Sequence, residues 1–221
     1  MSTPCGWTRA QGGFSLVEVA IAMVIVGLLV GGLLMPLSAQ VEQGQRDETA
    51  AALDAIREAL IGYAIANRRL PCPDANGNGL ADDACPAGAN RVNIGAPPLA
   101  SLGLERLDAW GNAYRYAVNG AYTGPIAFNT AGSGNGVIEV WQTANCAGAA
   151  GDRVAVNVAA LVVSGGKTRY PSALEAENRD NDRCFVSAGY STLSPLQIDD
   201  LVRWLSPDRL KARLAAAGRP L

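Results

Sequence analysis

From Val19 to Leu37 the chain carries 19 consecutive residues with no charge and no polar side chain, and Glu18 is the single ionisable side chain between Phe14 and Val41. At 1.5 Å per residue such a run is about 28 Å long as a helix, close to the roughly 30 Å hydrocarbon core of a bilayer, so it predicts a transmembrane helix. A cleaved signal peptide would have a shorter apolar region and a small-residue exit. Here the run reaches Pro36 without one. In the polar leader of residues 1–13, Arg9 and the amino terminus supply positive charge and there is no acid, which keeps the N-terminal side cytoplasmic and exports the remainder.

The rest of the chain is less hydrophobic. It completes a sequence of 221 residues with 18 Lys plus Arg, 20 Asp plus Glu, no His and a net charge of -2. That balance argues against a basic nucleic-acid surface, and no nucleic-acid partner is expected. The absence of His removes His-dependent catalysis and His metal ligation. At about 150 residues per domain, the length accommodates one moderate exported domain beside the apolar run.

A carboxylate at the edge of an apolar helix is costly unless it finds a partner, so Glu18 calls for a function. Cleavage between Gly13 and Phe14 would place a new amino group about one helical turn away, able to pair with Glu18 in the same chain or in a neighbour. The segment Gly12-Gly13-Phe14-Ser15-Leu16-Val17-Glu18-Val19, followed by the apolar run, resembles the N-terminus of type IV pilins and type II secretion pseudopilins. The resemblance implies cleavage after Gly13 by a prepilin peptidase, methylation of Phe14 and an assembly role for Glu18. Gly27 and Pro36 resemble the helix-weakening positions of that family, and an interior proline both costs helix stability and frees a carbonyl. Gly31-Gly32 adds a second soft point.

After Leu37 the composition turns polar, while Leu53, Ile56, Leu60 and Tyr63 recur at helical spacing among charged residues. This predicts an amphipathic continuation to about Asn67 and a span of Ser15 to Asn67 about 80 Å long. Two helices divided between Pro36 and Gly44 are the alternative. The expected fold is α+β and pilin-like: a long N-terminal helix, its first half transmembrane, packed on a small antiparallel sheet domain with C-terminal helices. The expected segments are a leader at 1–13, a transmembrane or assembly helix at 14–40, its amphipathic continuation at 41–68 and a periplasmic globular domain at 69–221.

Pro71 and Pro73 end the helix, and turn-rich sequence follows to Pro98. Within it Asp74, Asn76, Asn78 and Asp82 fit positions one, three, five and nine of a calcium loop, but Cys85 stands at the twelfth position in place of a bidentate glutamate. A plain Asx and glycine turn competes with a weak calcium site; no other cofactor is expected. Asp108-Ala109-Trp110-Gly111-Asn112-Ala113-Tyr114-Arg115-Tyr116 is similar to a stretch of major pseudopilins, with Ala109 and Ala113 in place of its prolines. It reads as a tight turn feeding a strand.

Further strands are predicted at Val137 to Gln142 and, as one long central strand, Val154 to Ser164. Gly165-Gly166-Lys167-Thr168 fails as a phosphate loop because Leu161 stands where the motif needs glycine. Leu196 to Leu205 has an amphipathic helical pattern, and Ser206-Pro207 provides a cap and first-turn proline for a last helix containing Leu210 and Leu214.

Cys5 lies in the leader. Cys72, Cys85, Cys146 and Cys184 remain, an even number that suits two disulfides in an oxidising compartment. Three pairings are open; we favour Cys72 with Cys85, which closes a short loop, and Cys146 with Cys184. A four-thiolate zinc site lacks the paired close spacings it needs. No catalytic constellation emerges: Asp82-Asp83 and Asp199-Asp200 are adjacent in sequence without a visible cleft, and no enzymatic activity is expected.

The resemblance therefore implies a structural subunit of a type II secretion pseudopilus or type IV pilus, held in the inner membrane as a single-pass protein and later assembled into a periplasmic or surface filament. Its implied partners are other pilin or pseudopilin subunits, a prepilin peptidase, the inner membrane and the assembly machinery. The alternative is a membrane-tethered periplasmic binding module that does not polymerise.

Overall fold

In a computed structural model of the chain, the structure describes residues 13, 15–105, 107–132, 134, 137–146, 148–168, 170 and 172–219, without the side chains of 30, 32–37 and 145. Ser15 starts the first helix: its carbonyl accepts from Val19 and its hydroxyl from Val17. Helix α1 then runs Leu16–Asn67. Its continuity through 36–44 removes the two-helix alternative. The chain divides into two compact units between Gly44 and Gln45, so the end of α1 belongs with the globular unit.

The expectation of a membrane span is corrected. Among the described residues no helix is long and apolar enough to cross a membrane. The transmembrane half of the expected fold and the single-pass inner-membrane topology are therefore not supported.

From Gln45 onward the fold is α+β. Strands β1 (Val92–Gly95), β2 (Arg115–Asn119), β5 (Ala160–Ser164) and β7 (Leu201–Leu205) make an antiparallel sheet in the order β1-β2-β5-β7. Strands β4 (Arg153–Val158), β3 (Ile138–Trp141) and β6 (Cys184–Val186) form a second sheet in that order. Because β3 and β6 are parallel, this second sheet is mixed, where only antiparallel pairing was expected.

Packing explains the strand sequences. Tyr116, Val118, Ala160 and Val162 share a core with Leu53, Ile56, Leu60, Ile61 and Ala64 of α1. Ala117, Leu161 and Val163, on the opposite face, join Ile138, Val140, Val158 and Phe185 of the second sheet. A strand covered on both faces needs apolar residues at every position, as β5 has in Ala160-Leu161-Val162-Val163. Tyr63, expected in the helical stripe, is only half-buried; Ile61 takes the core position.

Two strand expectations need correction. Val154 to Ser164 is two strands in different sheets. Asn157 takes a left-handed φ of 56°, and the Ala159 amide leaves the ladder to donate to the Leu205 carbonyl. Leu196 to Leu205 is not helical, since its last five residues pair with β5. Leu201 and Leu205 face the core shared with α1, while Val202 faces the second sheet, the two-residue alternation of a strand. Ile198, Leu201, Val202 and Leu205 also match helical spacing, and the open edge of β5 decides between the two.

The stretch before Pro98, read as turns, contains β1, and a short helix α2 (Leu99–Leu102) follows it. A side chain at Gly95 would approach Pro73 Cβ to 2.9 Å, so β1 needs glycine where the chain after α1 crosses it. A short helix α3 (Ala173–Glu177) and α4 (Pro207–Ala216) complete the fold. In α4, Ser206 accepts from the Arg209 amide, Pro207 occupies the first turn, and Leu210 and Leu214 are buried in the core.

Candidate functional site

In the N-terminal unit, Gly13 and Glu18 are exposed, and Glu18 lies in the first turn of α1. Leu16, Val17, Ile21, Val24 and Ile25 are all more than half exposed. With Ala20 these residues line a wholly apolar concave face, beside the carboxylate of Glu18 in sequence. A helix surface that leaves this much apolar area in water is suited to association. Phe14 and the leader lie outside the described residues, as does the Pro36 side chain; the Pro36 backbone is helical.

The loop of the calcium reading is built from Asx turns. Asp74 accepts from the amides of Gly77 at 2.7 Å and Gly79 at 2.6 Å, and Asp82 accepts from the Ala75 amide and the Asn76 side chain. Asn76 and Asn78 accept from the backbone two residues on. Cys85 is joined to Cys72, closing the loop. This donor set matches a disulfide-closed turn and leaves out the bidentate carboxylate that a calcium loop uses.

The second disulfide joins Cys146, in the turn after β3, to Cys184 at the start of β6. Asp108 organises the turn before β2. Its Oδ1 accepts from the amides of Trp110 and Asn112, its Oδ2 accepts from the Ser164 hydroxyl at 2.6 Å, and Gly111 supplies the left-handed φ of 82°. Gln45 and Thr49 of α1 bond the same turn at Ala109. Tyr114 and Tyr116 follow as buried side chains; desolvation, with the charge of Asp108 second, pushes the Tyr114 phenol up to about 12. This is packing architecture.

A group of buried acids escaped the sequence reading. Glu175 is fully buried in α3, and Asp199 and Asp200, just before β7, are 3% and 8% exposed. One oxygen from each of the three lies within 4.8 Å of the others. Burial raises the Glu175 carboxyl from 4.5 to about 7, opposed by the Asp199 amide that bonds it and reinforced by the charge of Asp200. Asp199 Oδ2 accepts from the amide and hydroxyl of Thr168, and Asn178 donates to Asp200. Lys167-Thr168, which mimic a phosphate loop, thus sit in a turn tied down by Asp199. The available signal was the spacing Ser172-x-x-Glu175, in which Ser172 caps α3 through the Glu175 amide.

Residues 8–34 match a family model described as the prokaryotic N-terminal methylation motif, which is diagnostic of type IV pilin and pseudopilin-like proteins. The match contains Gly13, Phe14, Glu18 and Gly27; Pro36 falls beyond it. No curated protein and no solved structure matches the chain.

Proposed function

We propose that this is a pilin-like protein cut between Gly13 and Phe14 by a prepilin peptidase and methylated on Phe14, and that its unit from Gln45 onward is a binding module carried by the processed segment. The methylation motif over residues 8–34 is the observation that carries the reading. The globular unit has its own core and two disulfides, which suits display and recognition. The lack of a membrane-crossing helix among the described residues favours a module that does not polymerise.

The second reading, a subunit of a pseudopilus or type IV pilus whose partners are other subunits and the assembly machinery, draws on the exposed apolar face beside Glu18. An uncompensated carboxylate there would select a neighbour that brings an amino group, and packing of apolar side chains would supply the remaining contact. Glu18→Ala separates the two. A non-polymerising module keeps its size distribution when the variant is coexpressed with a prepilin peptidase and sedimented, while a filament subunit moves from the pelleted to the slow fraction. Replacement of Gly13 by Leu blocks processing under both readings; a normally processed Gly13→Leu chain would overturn the cleavage assignment.

A further inference from the structure

The turn organised by Asp108 packs against α1 and leaves a cavity of about 230 Å³ between them, large enough for several waters. Gln45 and Thr49 fix the spacing through Ala109, so hydrogen bonds hold the gap. Ala52 and Ile56 of α1 and Leu104 and Leu107 of the facing segment make apolar walls. Tyr114, only 4% exposed, lines the cavity as well. Its hydroxyl opens on accessible space and makes no hydrogen bond among the described residues. The other buried tyrosines differ: Tyr116 donates to the Pro71 carbonyl and Tyr122 to the Thr130 carbonyl. A buried phenol without a partner in the fold points to a group that the fold does not itself supply.

The charges that line the cavity have one sign. Glu48 and Glu105 are exposed at it, and their carboxylates make no ion pair or hydrogen bond among the described residues. Asp108 is the third acid, with its oxygens already engaged by the Trp110 and Asn112 amides and the Ser164 hydroxyl. Burial, then the charges of Asp108, Glu48 and Glu105, raise the Tyr114 phenol to about 12. The phenol therefore stays neutral, and its oxygen is an acceptor. No described residue of the lining is cationic. On α1, Arg46 reaches the Asp199 carbonyl and the Tyr190 ring, and Arg57 pairs with Asp54; Arg106 lies outside the described residues. Negative potential over an apolar pocket selects a ligand that is cationic at one end and aliphatic at the other.

We propose that this cavity binds a primary alkylammonium group, its charge held by Glu48, Glu105 and the Tyr114 hydroxyl and its aliphatic stem lying against Ala52, Ile56, Leu104 and Leu107. An ammonium carries three N–H donors and no acceptor. Two unengaged carboxylates and one phenol oxygen match that set. A hard divalent cation fits less well, because it takes six or more oxygen ligands and the walls here are carbon. A wholly apolar ligand would strip water from the phenol and offer it nothing in return. The inference gives the binding-module reading a ligand class and rests on that reading. Its failure would leave the sedimentation of Glu18→Ala untouched, so the two fail separately.

Amide NMR titration of the full chain with n-pentylammonium chloride, at neutral pH and low salt, tests this, with 1-pentanol and sodium pentanoate as probes of the same stem. Pentylammonium should give saturable shifts at the amides of 48–56 and 104–114, pentanol should bind about tenfold more weakly, and pentanoate should not bind. Tyr114→Phe removes only a hydroxyl that has no partner in the fold, so it should melt with the wild type and bind the amine about tenfold more weakly. Glu48→Gln combined with Glu105→Gln should weaken binding as well, and added salt should do so in the wild type. A blocked Gly-Lys-Gly peptide separates the sources of the group: displacement of pentylammonium assigns a protein lysine, exclusion of the peptide assigns a free amine, and both support the class. No saturable shift, equal affinity for pentanol, unchanged affinity in the variants, or calcium binding more tightly than the amine overturns the proposal. Binding that emerges only in Arg106→Gln also overturns it, since the occupant would then be the chain's own guanidinium.

Discussion

Single polar side chains hold together segments that the apolar core cannot specify. Asp108 ties its own turn to Ser164 at the end of β5, and it does so from a buried position. Its replacement by Ala leaves the Trp110 and Asn112 amides and the Ser164 hydroxyl without their acceptor, and we expect a loss of about 2 to 4 kcal/mol in urea unfolding. Glu175 makes the opposite kind of contribution, one that depends on pH. Its folded-state carboxyl lies near 7 against 4.5 in the free residue, so the stability it confers is fully present below about 4.5 and is lost as pH rises through 7. Burial raises Asp180 as well, with the same sign. Melting temperature should therefore fall between pH 5 and 8, and Glu175→Gln should flatten the part of that fall that belongs to Glu175. Neither residue's partners could be read from the sequence, because Asp108 meets Ser164 across 56 positions and Glu175 meets Asp199 across 24.

Among the elements, legibility follows how local the determining physics is. The cap and proline of α4 and the stripe of Leu53, Ile56 and Leu60 act within one or two turns, and both elements form where their patterns put them. Strand β7 shows the limit: its apolar spacing suits a helix or a strand, and hydrogen bonds offered by a strand 41 positions earlier settle the matter. In the same way, nothing local distinguishes β4 from β5 until Ala159 bonds Leu205 across the fold. Truncation checks the packing of α1. Leu60→Ala removes a fully buried side chain between α1 and the sheet and should cost about 2 to 5 kcal/mol in the same urea assay. Ser206→Ala should cost only about 1 kcal/mol, since it removes one capping bond from α4.

For the whole molecule, the two units have different requirements. The globular unit buries two apolar clusters around its four-stranded sheet and is stapled at Cys72–Cys85 and Cys146–Cys184. Each bridge is worth about 2 to 4 kcal/mol, so reduction should lower the urea midpoint without abolishing the cooperative transition. The N-terminal unit instead exposes its apolar side chains and carries the motif legible from residues 12–19 alone. The length of the apolar run invited a membrane span that the described helix does not supply, whereas the spacing of Gly13, Phe14 and Glu18 pointed to processing independently of that span. The central claim is the processing event, and intact mass with N-terminal sequencing after coexpression with a prepilin peptidase measures it directly. The account predicts a chain beginning at Phe14 and heavier by one methyl group, about 14 Da; a chain retaining its leader, or cut at any other bond, would contradict it.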